Sequence, residues 1–188
     1  MTIRLSSRTA CVLFALVLGA AGTAQAQTFT RISAGNPIVT DPVPATSLFT
    51  GCAWIDFDQD GDQDLYIVQQ GLYRNDGGGV FVRLDGGPVD HAGSIGTTWA
   101  DVDNDGDLDA YVSGGDPNGS FLFLNDGGGV FTRVTTGVAG DSLGNKGWGC
   151  AWGDYDNDGR VDLVVAAAVG FIGITDSNKL LHNDGGAA

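Results

Sequence analysis

The string Trp54-Ile55-Asp56-Phe57-Asp58-Gln59-Asp60-Gly61-Asp62-Gln63-Asp64-Leu65 occurs three times in this chain with small changes. The second copy is Trp99-Ala100-Asp101-Val102-Asp103-Asn104-Asp105-Gly106-Asp107-Leu108-Asp109-Ala110. The third is Trp152-Gly153-Asp154-Tyr155-Asp156-Asn157-Asp158-Gly159-Arg160-Val161-Asp162-Leu163. Numbered from the first Asp, each copy carries carboxylates at loop positions 1, 3, 5 and 9 and Gly at position 6. Core packing has no use for that spacing, and carboxylates held this close repel one another. A hard dication with oxygen ligands turns the repulsion into a binding site, and calcium is the ion that this number of protein oxygens suits. Magnesium seldom takes a cage made wholly of protein oxygens.

Working outward, a second string accompanies the first. Arg74-Asn75-Asp76-Gly77-Gly78-Gly79-Val80-Phe81-Val82-Arg83 is matched by Leu124-Asn125-Asp126-Gly127-Gly128-Gly129-Val130-Phe131-Thr132-Arg133, and His182-Asn183-Asp184-Gly185-Gly186 begins a third copy. Asn-Asp-Gly between apolar runs predicts a β-hairpin, since these residues tolerate positive φ. The segments around it are β-rich (65–68, 121–124, 163–165), and no stretch sustains helical periodicity. Each unit then reads as four strands. One enters the loop at the Trp, one leaves it, and two form the hairpin. The motif Trp residues are 45 and 53 residues apart, which is the spacing of β-propeller blades. The expected fold is all-β, with three blades of four antiparallel strands around 45–84, 92–134 and 145–186. Phe29-Thr30-Arg31-Ile32 is similar to Phe131-Thr132-Arg133-Val134, so 28–32 is expected as a displaced outer strand.

The first 26 residues read as a secretory signal. Arg4 and Arg8 precede an apolar stretch over 10–21, and Ala24-Gln25-Ala26 is a cleavage site that would leave 27–188 as the mature chain. A retained anchor is the competing reading of that stretch, which is short for a bilayer span. No later segment could span a membrane. The expected location is secreted, periplasmic or cell-surface. The chain has 23 acidic residues, all Asp, against nine Lys or Arg, and a formal charge of -14. Fourteen of those Asp lie in the three loops, so the acidity is local site chemistry. No basic cluster exists to bind nucleic acid. Cys52 and Cys150 share the string Gly-Cys-Ala-Trp and are read either as buried free thiols or as a disulfide between non-adjacent repeats.

These strings resemble the FG-GAP family of calcium-binding propeller repeats, also called VCBS-type repeats, over roughly 28–186. The run from Gly147 to Gly159 is similar to the bacterial branch and its cartilage acidic protein relatives. The resemblance implies side-chain ligands at positions 1, 3, 5 and 9 and a backbone carbonyl at position 7. It assigns Asp56, Asp58, Asp60 and Asp64, with the carbonyl of Asp62, to one calcium ion. Asp101, Asp103, Asp105 and Asp109, with the carbonyl of Asp107, take a second. Asp154, Asp156, Asp158 and Asp162, with the carbonyl of Arg160, take a third. A carbonyl donor tolerates the Arg160 side chain where a side-chain ligand would not. Gly61, Gly106 and Gly159 are assigned to the tight turn.

The resemblance implies a secreted structural, adhesion or ligand-binding module with a protein or glycan partner and no catalytic residues. The other readings are an accessory or catalytic propeller of a secreted carbohydrate-active enzyme, or part of a longer propeller. Propellers have four to eight blades and this family generally seven. Three blades therefore imply either a fragment or a homo-oligomer, most simply a dimer with six. An EF-hand is excluded, because it needs a bidentate acid at position 12, where this chain has Ile67, Val112 and Val165. Trp54, Trp99 and Trp152 are expected to pack between strands, and Arg31, Arg83 and Arg133 to be structural. Trp148, outside the repeat register, is a candidate for ligand stacking. His91 and His182 have no neighbour in sequence that would make a triad or a zinc site.

Overall fold

The computed structural model describes residues 29–43, 50–90, 95–114, 119–137, 147–167 and 177–185. The signal expected over 1–26 and His91 lie outside them. The described residues contain three antiparallel sheets. In the first, β1 (Cys52–Ile55), β2 (Asp64–Ile67), β3 (Gly71–Asn75) and β4 (Phe81–Leu84) lie side by side in chain order. The second repeats this order with β5 (Gly96–Ala100), β6 (Asp109–Ser113), β7 (Phe121–Asn125) and β8 (Phe131–Arg133). The third has β9 (Gly147–Gly153), β10 (Asp162–Ala167) and β11 (Lys179–Leu181). A short helix, α1 (Pro37–Thr40), precedes the sheets, with its N-cap Asn36 side chain accepting from the Ile38 N–H at 3.0 Å. These are propeller-type blades, and the all-β expectation holds.

One register recurs. Trp54 faces Leu65, Trp99 faces Ala110 and Trp152 faces Leu163 across the first strand pair of each sheet. A strand alternates its faces, so the next pair (Ala53 with Tyr66, Thr98 with Tyr111) looks the other way. Consecutive blades use both faces: the Tyr66 ring meets Trp99 edge-on at 5.4 Å, and Tyr111 meets Trp152 at 6.2 Å. Each Trp with a complete blade also touches the Phe of its own outer strand, Trp54 with Phe81 and Trp99 with Phe131. The main core lies between the first two blades and includes Ile55, Phe57, Tyr66, Val68, Val112 and Phe123. A smaller cluster of Tyr111, Leu122, Leu163 and Val165 joins the second blade to the third. Gly129 marks how closely they fit, since a Cβ there would stand 2.5 Å from the Phe57 ring.

Four expectations need correction. Trp54 is 60% exposed, because among the described residues no blade precedes it to supply a Tyr. The hairpins form as expected, but their positive φ values belong to the glycines. Gly77, Gly78 and Gly79 take 89°, 63° and 78°, and Gly127, Gly128 and Gly129 take 95°, 61° and 79°. Asn75 and Asn125 end their strands instead. Phe29 to Ile32 takes part in no ladder, and Phe29 is 92% exposed. Among the described residues the third sheet has three strands. Finally, Cys52 and Cys150 are free thiols, the first of the two readings, but only one of them is shielded. Cys52 is exposed rather than buried, whereas burial of Cys150 pushes its thiol up to about 11.

Candidate metal centres

Each acidic loop joins the first and second strands of a blade, and two left-handed residues bend it. Gln59, Asn104 and Asn157 at position 4 have φ of 59°, 61° and 62°. Gly61, Gly106 and Gly159 at position 6 have φ of 92°, 102° and 89°. The bend turns backbone N–H groups towards the carboxylates. Gly61, Gly106 and Gly159 donate to Oδ2 of Asp56, Asp101 and Asp154 at 3.2, 3.1 and 2.9 Å. Asp60, Asp105 and Asp158 accept from the N–H two residues on at 2.8 to 2.9 Å.

Position 9 is the anchor. Asp64, Asp109 and Asp162 are buried at the start of the second strand. Oδ2 of each accepts the N–H at position 2, from Phe57, Val102 and Tyr155 at 3.1, 2.8 and 3.1 Å. Oδ1 of each accepts the N–H of the hairpin Asn, from Asn75, Asn125 and Asn183 at 2.7, 2.8 and 2.8 Å. One carboxylate thus ties the loop to the hairpin of its own blade. Burial pushes the Asp109 carboxyl up to about 6, helped by the charges of Asp103 and Asp105 and opposed by its two backbone donors. Burial raises Asp64 and Asp103 in the same direction. Asp154 moves down, because the Gly159 N–H stabilises its charged form.

Carboxylate oxygens converge within 4.8 Å of one another in all three loops: Asp56, Asp58 and Asp64; Asp101, Asp103 and Asp109; Asp154, Asp156 and Asp162. These are positions 1, 3 and 9. In the first loop, Asp56 Oδ1 and Asp58 Oδ1 are buried with no hydrogen-bond donor. Two buried anionic oxygens without donors are costly, and a cation is the partner that this surplus of acceptors fits. The donor set is all oxygen, the preference of a hard ion such as calcium. The position-5 carboxylates of Asp60 and Asp105 stand outside the converging triads. At position 7 two side chains are engaged elsewhere: Asp107 Oδ1 accepts from Gln59 Nε2 at 2.9 Å, and Arg160 reaches Asp158 Oδ2 and, at 2.6 Å, the Asn183 carbonyl. The position-7 N–H groups donate to the position-5 carboxylates.

Two features escaped the sequence reading. His182 is not isolated: Nε2 lies 2.9 Å from Asp156 Oδ2 and 3.6 Å from Asp158 Oδ2, and Nδ1 lies 3.1 Å from Asp184. Asp156 and then Asp184 hold its pKa above the ordinary value. The signal was present in the hairpin alignment, where His182 shares its place with Arg74, itself paired with Asp76 at 2.7 Å. The other feature is the hairpin Asn. The Nδ2 of Asn125 and Asn183 donates to the Phe57 and Val102 carbonyls of the preceding blade's loop at 3.0 and 2.8 Å.

A family model described as an FG-GAP-like repeat matches residues 56–112 and, a second time, 101–165. Each match runs from one acidic loop into the strand that follows the next, and together they cover more than half of the chain. No curated protein matches it.

Proposed function

Since the chain belongs to the FG-GAP-like repeat family, we propose that it is a secreted, calcium-stabilised propeller-type module that binds a protein or glycan and catalyses no reaction. The observation that carries the calcium part is the pair of buried, donorless oxygens on Asp56 and Asp58. Bound calcium supplies positive charge that offsets the crowded carboxylates of each loop. Asp56, Asp58 and Asp64 hold it in the first loop, Asp101, Asp103 and Asp109 in the second, and Asp154, Asp156 and Asp162 in the third. Asp60, Asp105 and Asp158, with the position-7 carbonyls, complete the sets that the resemblance implies.

Absence of catalysis is supported by how the loop acids are used. Each position-9 Asp is tied to two backbone donors, and the same arrangement is repeated in every blade, whereas a catalytic acid–base pair would not be tripled. Secretion rests on the leader sequence over 1–26. Among the described residues no helix is long and apolar enough to cross a membrane.

The test is calcium binding to the full chain by isothermal titration, paired with thermal melts in calcium and in chelator. The expected result is one ion per loop and a clear loss of melting temperature in chelator. Asp58→Ala should remove one ion and lower the melt together. A chain that binds no calcium, or melts identically in chelator, overturns the reading.

A further inference from the structure

The three loops are joined by a continuous line of hydrogen bonds. The Phe57 peptide donates its N–H to Asp64 in loop one, and its carbonyl accepts from Asn125 Nδ2 at 3.0 Å. The Asn125 backbone N–H donates to Asp109 in loop two at 2.8 Å. The pattern then repeats. Val102 donates its N–H to Asp109, its carbonyl accepts from Asn183 Nδ2 at 2.8 Å, and the Asn183 N–H donates to Asp162 in loop three at 2.8 Å. Each position-9 carboxylate is thus linked to its counterpart in the next blade by three hydrogen bonds and the two residues that carry them.

Asn125 is 1% exposed, and both hydrogens of its side-chain amide are used. Nδ2 also donates to the Leu108 carbonyl, and Oδ1 accepts the Gly127 N–H. Asn183 does the same with Val161 and Gly185. Among the described residues the Asn75 side chain bonds within its own blade, to the Gln63 carbonyl and from Gly77. Loops one and two have a second link, since Gln59 Nε2 reaches the Gly106 carbonyl and Asp107 Oδ1. Among the described residues the hydrogen bonds between loops two and three come from Asn183.

We propose that Asn125 and Asn183 are positioning residues that couple the loops, so that calcium bound in one blade tightens binding in the next. Ordering of loop two fixes Val102 and Asp109 together. Val102 then presents its carbonyl to Asn183, which holds Asp162. The loop that is ordered second loses less conformational freedom, and this is a source of positive cooperativity. The inference rests on the calcium reading above and adds to it a route of communication along the blades, which is reciprocal between neighbouring loops.

The experiment follows the backbone amide signals of Gly61, Gly106 and Gly159 by NMR while calcium is added to the full chain. Each of these amides donates to the position-1 carboxylate of its own loop, so each reports one site. Asp103→Asn disables loop two. Coupling moves the calcium midpoints of Gly61 and Gly159 to higher concentration by about fivefold. In the Asn183→Ala background, the same Asp103→Asn change should no longer move the Gly159 midpoint and should still move that of Gly61. Asn75→Ala should weaken loop one and leave both responses to Asp103→Asn intact. The proposal is overturned if Asp103→Asn leaves the Gly61 and Gly159 midpoints in place, a result that needs no Asn variant to fold. It is overturned equally if the Gly159 response survives Asn183→Ala. If none of the three signals responds to calcium in the unmodified chain, the calcium reading itself fails, and that outcome is distinct from three independent sites.

Discussion

Asp109 Oδ1 lies 2.8 Å from the backbone nitrogen of Asn125, sixteen residues further along the chain. Its other oxygen accepts the Val102 N–H at the same distance. One buried carboxylate therefore closes the acidic loop on one side and pins the hairpin on the other. The same pair of bonds is made by Asp64 and Asp162, so the acidic loop and the blade are a single unit of structure.

Asp109→Ala follows directly. It leaves two backbone N–H groups without acceptors in a buried place, and each such group costs about 1–3 kcal/mol. A loss of roughly 3 kcal/mol is expected in chelator, where calcium plays no part, measured by urea denaturation. The exposed Asp126→Ala, at the neighbouring hairpin, should cost well under half of that. Equal effects would remove position 9 from its anchoring role.

The pH dependence of the calcium-free protein follows from the same carboxyl. Asp109 moves from an ordinary value of 3.8 to about 6 on folding, chiefly through burial. The folded state binds this proton more tightly than the unfolded state does. The contribution to stability is therefore complete below pH 3.8 and is lost as pH rises through about 6. Burial raises Asp64 and Asp103 too, so they act in the same sense. In chelator, the Asp109 contribution should make the melt lower at pH 7.5 than at pH 5, and Asp109→Asn should flatten that slope. With calcium, the protection it gives should grow from pH 5 to pH 7.5, because protons compete for the same oxygens. Melting curves at the two pH values, with and without calcium, check both statements.

Much of this was legible in the chain because its parts are local. The loop carboxylates lie within nine positions of one another, and their spacing alone brings Asp56, Asp58 and Asp64 together. The Asn-Asp-Gly hairpins were legible for the same reason. What the hairpin Asn does was not legible. Its partner, the Phe57 carbonyl, lies 68 residues from Asn125, and an Asn before Asp-Gly already has a sufficient explanation as a turn residue. The run of three glycines takes that role and frees the Asn for another. The partner of His182 was hidden in a similar way, since the fold brings it across 26 residues to Asp156. Trp54 shows the limit of repeat logic. Its position is equivalent to that of Trp99, but packing depends on a neighbouring blade, and periodicity within one blade does not report that neighbour.

The left-handed residue at position 4 offers a backbone test. Asn104 has φ of 61°, which Asn and Gly tolerate and β-branched residues do not. Asn104→Val should cost about 1–2 kcal/mol, whereas Asn104→Gly should leave stability close to that of the unmodified chain. Denaturant midpoints of the two variants separate backbone strain from loss of the side chain, because both remove the amide. Equal losses in both would mean that the amide, not the φ angle, decides the residue at this position.

Arg160 distinguishes the third loop from the other two. Its guanidinium bonds Asp158 Oδ2 and the Asn183 carbonyl, where the equivalent residues Asp62 and Asp107 carry negative charge. A cation so close to the loop partly neutralises it and competes with calcium for the same carboxylate. Arg160→Ala therefore raises the negative potential at Asp154, Asp156 and Asp162 and removes the competitor. Calcium binding at loop three should tighten by a few-fold, read from the Gly159 amide signal, while that of loop one stays in place. Stability in chelator should fall by no more than about 1 kcal/mol, since the ion pair is partly exposed and screened by solvent. Weaker calcium binding in the variant would mean that Arg160 serves to hold the loop in shape through Asn183 more than it opposes the ion.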